Sequence, residues 1–538
     1  MSTPQSIIHI CSGVHLDNRY EHSIYFANAT DQQAYFAGKV VKTFSAYSYL
    51  RKSWPVQVEA TMEQARSWSY LYFRNGTGKY YYYFITQIEY KNDNMVELTL
   101  ELDVLQTYLF DFDRLDCFVE RNHTPTDNVG ANTIDEGLEL GELVDDDEFH
   151  WTQLNDLCIL VLATINPNYA ETETPVQALA GRYNSVFSGL KVWAVNGTDW
   201  ADWGNQLDKL STAGFIDGIV AMWMYPKDQV ELGGENTWDD DDLCKTVDGA
   251  KVSGAFLPFD APPTTLDGYT PRNKKLLSYP FSFLYVSNNT GGSAVYRWER
   301  FKNRNPQFSV AGSLSPDGTM KMSPLLYNGI EIGVNYEAGI SLGGFPMCAW
   351  DADMYKLWLA QNQNQHAYSM ATNGLSIAGG AIAGIAGLAT GNLGVAGAGA
   401  AAVIGGAQQI GSLLAQKADM AIQPPQSRGN FSSNVNITSG KHTFSFYKKC
   451  VSAEYAKVID DYFTMYGYKI NRVQKPYIHA RENHTYVKTI GCKIAGNLCT
   501  EDLTRIESIF DHGVTFWSDG DHIGRYDLDN NTITGVID

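Results

Sequence analysis

Two glycine pairs, Gly380-x-x-x-Gly384 and Gly387-x-x-x-Gly391, stand at a spacing that carries chemistry of a non-catalytic kind. Glycine at every fourth position strips one face of a helix and lets two helices approach closely, as in helix association within a bilayer. Both pairs lie in a tract between Lys356 and Lys417 that has 60 residues and no Asp, Glu, Lys or Arg. The tract has two halves, 375–389 and 393–407, separated by Thr390-Gly391-Asn392. Side chains suited to lipid are Leu375, Ile377, Ile382, Ile385 and Leu388 in the first half. Leu393, Val395, Val403 and Ile404 follow in the second, with Ile410 just beyond. Gly380, Gly384, Gly387, Gly391 and Gly397 supply close packing and flexibility. Each half is about 15 residues, roughly 22 Å as a helix, which is short of the ~20 residues that span a bilayer comfortably. Each glycine also costs roughly 1 kcal/mol of helix stability relative to alanine. The tract is therefore expected to be loose in water and ordered when packed or in lipid. The competing reading of the same composition is a buried helix pair or a flexible linker.

Signals for catalysis are missing. The chain has no Walker lysine, no H-E-x-x-H and no G-x-S-x-G nucleophile elbow. Gly397-x-Gly399-x-x-Ala402 matches a dinucleotide fingerprint only in letters, because no strand precedes it and no acidic partner follows at the right distance. Cysteines at 11, 117, 158, 244, 348, 450, 492 and 499 form no C-x-x-C pair, so buried free thiols are expected, and neither a metal nor a cofactor. The acidic runs Asp145-Asp146-Asp147-Glu148 and Asp239-Asp240-Asp241-Asp242 lack the glycine and spaced glutamate of a calcium loop and read as solvated loops.

The elements that must hold the tract come from a chain of 538 residues, 44% hydrophobic and 13% aromatic, with a formal charge of −20. That length suggests three or four domains with a sizeable core, and that composition excludes a disordered chain. The acidic balance argues against gripping nucleic acid, which requires Lys and Arg to displace counterions. No basic segment leads into an apolar run at the amino terminus, so no signal peptide is expected.

The first ~115 residues read as β structure. Residues 95–104 alternate apolar and polar with period two, and 80–90 is a tyrosine-rich run; Lys91-Asn92-Asp93-Asn94 between them predicts a hairpin. Further strands are predicted at 158–163, 218–224, 281–286 and 330–335. A helix is predicted over 453–463, with Tyr455, Val458, Ile459 and Tyr462 at helical spacing, and another over 500–510 with Thr500 as N-cap. The fold class is thus mainly β: several sandwich- or barrel-like modules, a long Gly/Ala-rich hydrophobic loop that could form a helical hairpin, and a small α+β C-terminal domain. The expected division is 1–115, 116–350, 351–430 and 431–538.

Several blocks together resemble the distal tail-knob (tail tube) proteins of phi29-type short-tailed bacteriophages. Near the amino terminus they are Gln33-Ala34-Tyr35-Phe36, Tyr82-Tyr83-Phe84-Ile85 and Leu100-Glu101-Leu102-Asp103-Val104-Leu105-Gln106-Thr107-Tyr108. Then come Val119-Glu120-Arg121-Asn122-His123-Thr124, Glu136-Gly137-Leu138-Glu139-Leu140-Gly141 and Pro271-Arg272-Asn273-Lys274-Lys275-Leu276-Leu277-Ser278-Tyr279-Pro280-Phe281. The last blocks are Asp460-Asp461-Tyr462-Phe463-Thr464-Met465-Tyr466-Gly467-Tyr468 and Ile509-Phe510-Asp511-His512-Gly513-Val514-Thr515-Phe516-Trp517. They occur in family order over nearly the whole chain and are weakest around 170–266.

The resemblance implies a hexameric, mainly β tube at the tail tip. Its hydrophobic loops, around 371–416, would sit in the lumen before infection and then enter the host cytoplasmic membrane to let DNA pass. Partners implied are further copies of the chain (a homohexamer), the proximal tail or lower collar protein, tail-tip proteins and membrane lipids. Phage DNA would pass through without specific binding. The location implied is the virion, after synthesis in the host cytoplasm. Six copies at −20 each would bring about −120 of formal charge to one assembly, so a polyanion would slide instead of binding. Two other classes compete: a receptor-binding adhesin, which needs a saccharide cleft lined by Trp and Tyr, and a cell-wall hydrolase, which needs two carboxylates roughly 5–9 Å apart. Neither needs the uncharged tract.

Overall fold

The computed structural model describes residues 6–47, 55–350, 427–430 and 442–530, with short breaks at 77, 152–155, 171, 174–180, 185, 197–198, 235–236, 239–241, 317, 332 and 529. The chain is mainly β and forms two compact units, each built from separate stretches of sequence. One comprises Met1–Asp146, Pro263–Phe283 and Lys449–Asp538; the other comprises Asp147–Pro262 and Leu284–Lys448.

The first unit holds a six-stranded sheet in the order Val40–Tyr47, Ser6–Ser12, Trp68–Arg74, Tyr80–Asn92, Met95–Leu102, Val56–Glu59. The predicted hairpin is present: Tyr80–Asn92 pairs antiparallel with Met95–Leu102, and every second residue of the latter is buried. Val104 leaves the strand and starts a short helix, Val104–Tyr108, because the Asp103 carboxylate accepts from the Leu105 and Gln106 amides and caps it. A five-stranded sheet follows, in the order His22–Ile24, Val514–Trp517, His484–Ile490, Cys117–Asn122, Tyr468–Gln474. Its apolar face and that of the first sheet share one core around Phe36, Tyr70, Leu105, Ile506 and Phe516.

Both predicted helices are present, as Ala453–Tyr466 and Thr500–His512, with corrections. In the first, Ala456, Ile459 and Phe463 are buried, whereas Tyr455 and Val458 are 42% and 67% exposed. In the second the N-cap is Cys499, and Thr500 is the first helical residue. Among the described residues, the α-helices not expected from the sequence are the long ones Ala29–Gly38 and Trp200–Thr212 and the short ones Met62–Ala65 and Val104–Tyr108.

The second unit contains a seven-stranded antiparallel sheet in the order Val230–Leu232, Cys244–Ala250, Lys191–Val195, Leu157–Ala163, Ile219–Pro226, Met347–Trp350, Ser427–Asn430. Its central strands, Leu157–Ala163 and Ile219–Pro226, are the apolar runs predicted at 158–163 and 218–224. Among the described residues of 330–335 no strand forms: Gly329 and Gly333 adopt φ of +80° and +103°, and Val334 makes only an isolated bridge to Leu325. The acidic run at 145–148 is not a loop. It lies in the strand Leu143–His150, where Asp145 pairs with Lys449 at 2.6 Å and Asp147 with Lys448 at 3.2 Å.

Candidate functional site

Every residue singled out for membrane insertion or helix packing, from Leu375 to Ile410, lies outside the described residues. The strands that bracket the tract are described. Met347–Trp350 and Ser427–Asn430 pair antiparallel with partners Met347 and Asn430, Cys348 and Gly429, Ala349 and Arg428, Trp350 and Ser427. The uncharged tract is thus inserted between two neighbouring strands, and Ser427–Asn430 is the edge strand of its sheet. Met347–Trp350 is anchored on its other side by Ile219–Pro226, with Ala221 opposite Ala349 and Trp223 opposite Met347. Among the described residues no helix is long and apolar enough to cross a membrane.

Four of the sequence blocks converge within the first unit on one buried polar junction. Asp460, on helix Ala453–Tyr466, is fully buried. One of its carboxylate oxygens accepts from the Tyr269 hydroxyl at 2.7 Å and the Arg272 amide at 2.8 Å. The other accepts from the Asn273 amide at 2.9 Å and the Asn273 side chain at 2.8 Å. Both oxygens are saturated, which is what allows a carboxylate to be buried at all. Asn273 also donates to Thr464 Oγ1 at 2.9 Å. Tyr468 donates to Asp127 at 2.6 Å, and burial, reinforced by that carboxylate, holds the phenol well above its usual pKa.

Glu136 is the hub of a second group. It ion-pairs with Arg121 and with Lys275 and accepts from the Lys469 amide at 2.9 Å. The Glu136 and Lys275 side chains are each 1% exposed. Burial lowers the Lys275 pKa, and the neighbouring Glu136 opposes that shift. Arg121 donates to the Gly467 carbonyl at 2.7 Å and lies 4.8 Å over the Tyr462 ring.

Beside these, the His123 and His484 rings both donate through Nε2 to the Thr464 carbonyl, at 3.1 and 2.8 Å. His123 Nδ1 accepts from the Tyr486 amide at 2.8 Å, so this imidazole is neutral with its proton on Nε2. Burial depresses both, His484 to about 4 and His123 well below its ordinary value. The junction ties strand Cys117–Asn122, the 271–281 segment and helix Ala453–Tyr466 together. Apart from His484 Nδ1, which is buried without a hydrogen-bond partner, the groups named above are taken up by one another, so the chemistry of the junction is positional. Sequence reasoning had the blocks but not their pairing, since nothing in the composition says that Asp460 belongs to Asn273.

In the second unit a cavity of about 520 Å³ is lined by Tyr183, Asn184, Asp248, Ser313 and neighbouring apolar and glycine residues. Its lining has one carboxylate and one aromatic ring, short of the acid pair a glycosidase uses. Among the described residues no group of three or more His, Cys, Asp or Glu is placed to hold a metal ion.

A family model described as the C-terminal domain of tail knob protein gp9 of Bacillus phage phi29 matches residues 250–531. The chain belongs to this tail knob family. A second model, the N-terminus of the caudoviral major tail protein, matches residues 4–113. Tail knob protein gp9 of Bacillus phage phi29 is 26% identical over 97% of this chain and 98% of its own length. The gp9 of Bacillus phage B103 is likewise 26% identical over the same shares. The fold is similar to that of the bacteriophage C1 tail knob protein gp12, with a TM-score of 0.62 at 14% identity, covering 98% of this chain and 100% of that one. As a tail knob family member the chain is a structural component of a short-tailed phage virion tail.

Proposed function

We propose that the chain assembles as a homohexameric conduit at the tail tip and passes the genome during ejection. Residues 371–416 plug the lumen until then and afterwards enter the host cytoplasmic membrane to form the pore. Within this reading 351–430 is the membrane-active segment with its flanks, and Leu375, Ile377, Ile382, Ile385, Leu388, Leu393, Val395, Val403, Ile404 and Ile410 face lipid. The partners are other copies of the chain, the proximal tail protein, tail-tip proteins, membrane lipids and DNA that slides past acidic walls. The protein acts without catalysis.

The observation that carries this reading is the base of the tract. A segment of 60 residues without a formal charge leaves and returns through two adjacent, hydrogen-bonded strands. A stretch of that composition would aggregate if left exposed. An assembly that encloses it and later releases it meets both demands. Dye release from liposomes by the purified assembly tests it. Release by the intact chain and none after deletion of 371–416 is expected, and equal release by both would refute the assignment.

A further inference from the structure

Cys117 and Cys492 are buried, each 5% exposed, and lie far apart in sequence but in one core of the first unit. The five-stranded sheet brings them together. Phe118, the neighbour of Cys117, pairs with Ile490, and the Leu115 amide donates to the Lys493 carbonyl at 2.9 Å, so residues 490–493 run alongside 115–118. Both side chains belong to the same buried core, and each thiol lies within electrostatic reach of the other. Asp511 fixes the turn that presents Cys492, accepting from the Cys492 amide at 2.9 Å, the Gly491 amide at 3.1 Å and the Thr489 hydroxyl at 2.7 Å.

We infer that Cys117 and Cys492 are a latent cross-link that closes to an intramolecular disulfide once the tail protein has left a reducing cytoplasm. The oxidant is a low-molecular-weight disulfide. One cysteine thiolate attacks it, releasing the first small thiol and leaving a mixed disulfide. The second cysteine then attacks that sulfur, forms the S–S bond of the protein and releases the second small thiol. Each cysteine proton ends on a departing thiolate, and the electron pair lost by the two cysteines reduces the small disulfide. Burial raises both thiols, Cys492 to about 12, so thiolate is scarce and closure is slow. A slow closure suits a bond that must not form while the chain is still folding and assembling. The bond would tie the strand Cys117–Asn122 to the segment before helix Thr500–His512, shutting a very long loop of chain.

The test uses the full-length protein incubated with oxidised glutathione or with reductant, alkylated under denaturing conditions, digested without reduction and analysed by mass spectrometry. A linked peptide pair carrying 117 and 492 is expected in the oxidised sample only, together with a rise in melting temperature of roughly 5 °C or more that dithiothreitol reverses. Cys499, which is exposed, is the internal control and should carry glutathione. Cys117→Ser and Cys492→Ser should each abolish the linked peptide and the rise while melting like the reduced wild type. Recovery of both cysteines alkylated, recovery of either as a glutathione adduct without the link, or a rise that persists in Cys117→Ser would overturn the inference.

Discussion

Trp350 and Ser427 are backbone partners in an antiparallel pair, and the whole uncharged tract lies in the chain between them. The pairing closes the excursion at its base, holding Trp350 and Ser427 opposite each other. Loop-closure entropy grows only as the logarithm of length, about 0.6 kcal/mol per doubling. A long insertion at this place therefore burdens the fold little. It also leaves the sheet complete on its own, since Met347–Trp350 is already held by Ile219–Pro226.

Removing 371–416 should leave melting temperature and assembly nearly unchanged and abolish liposome permeabilisation. Asp at Ile382, Ile385, Val403 and Ile404 together should act similarly, because each charge near a bilayer centre costs about 2.5–3.5 kcal/mol on insertion scales. Differential scanning calorimetry and dye release read the two effects separately. If the deletion unfolds the protein, the tract was a core helix pair.

The strands with strict alternation were legible, because Met95–Leu102 has one buried and one wetter face and nothing else competes. Ala29–Gly38 was not, since its buried positions are Gln32 and Phe36, and Gln32 is inside only because it hydrogen-bonds Gln106 at 2.9 Å. The same cause misassigned the face of Ala453–Tyr466. Asp460 and Thr464 point inward to partners nearly two hundred residues away, while Tyr455 and Val458 point out. Apolar periodicity finds faces buried by hydrophobic contact and is blind to faces buried by long-range polar pairing.

Gly467 ends helix Ala453–Tyr466 at φ +63°, ψ −153°, a region open essentially to glycine alone. A Cβ there would lie 2.5 Å from the Asn122 carbonyl carbon and the His123 amide nitrogen, both backbone atoms that cannot move aside. Gly467→Ala should cost about 3 kcal/mol or more in urea denaturation. Gly13→Ala, at φ +75° with nothing within 4 Å of the added carbon, should lose only about 1–2 kcal/mol. Equal losses at the two sites would refute the close approach.

Glu136 answers two cations, and Lys275 has no solvent to fall back on. Glu136→Gln should therefore destabilise by about 3–5 kcal/mol, the range for stranding a buried charge. Adding Lys275→Met should restore much of that loss. Arg121 is still served by the Gly467 carbonyl and the Tyr462 ring. A double variant no more stable than Glu136→Gln alone would show that the cost lies elsewhere.

Acid should weaken the first unit through His484. Its folded pKa is about 4, below the ordinary value of 6.5, so between those values the unfolded chain binds a proton that the folded chain refuses. The histidine contribution is complete above about pH 6.5 and declines as pH falls towards 4, by about 3 kcal/mol in the limit. Buried Asp103 works in the opposite sense: its folded pKa is raised by burial to about 6, so protonation in the same window relieves its desolvation. His123, which burial also holds well below its ordinary value, adds to the histidine side, so wild-type stability alone mixes opposing groups and the informative quantity is a difference. His484→Gln can keep a donor to the Thr464 carbonyl and cannot titrate. Relative to wild type, this variant should gain stability steadily from pH 6.5 to 4 and show a constant offset above pH 7. An offset independent of pH across the whole range would mean that His484 is not held neutral by its burial.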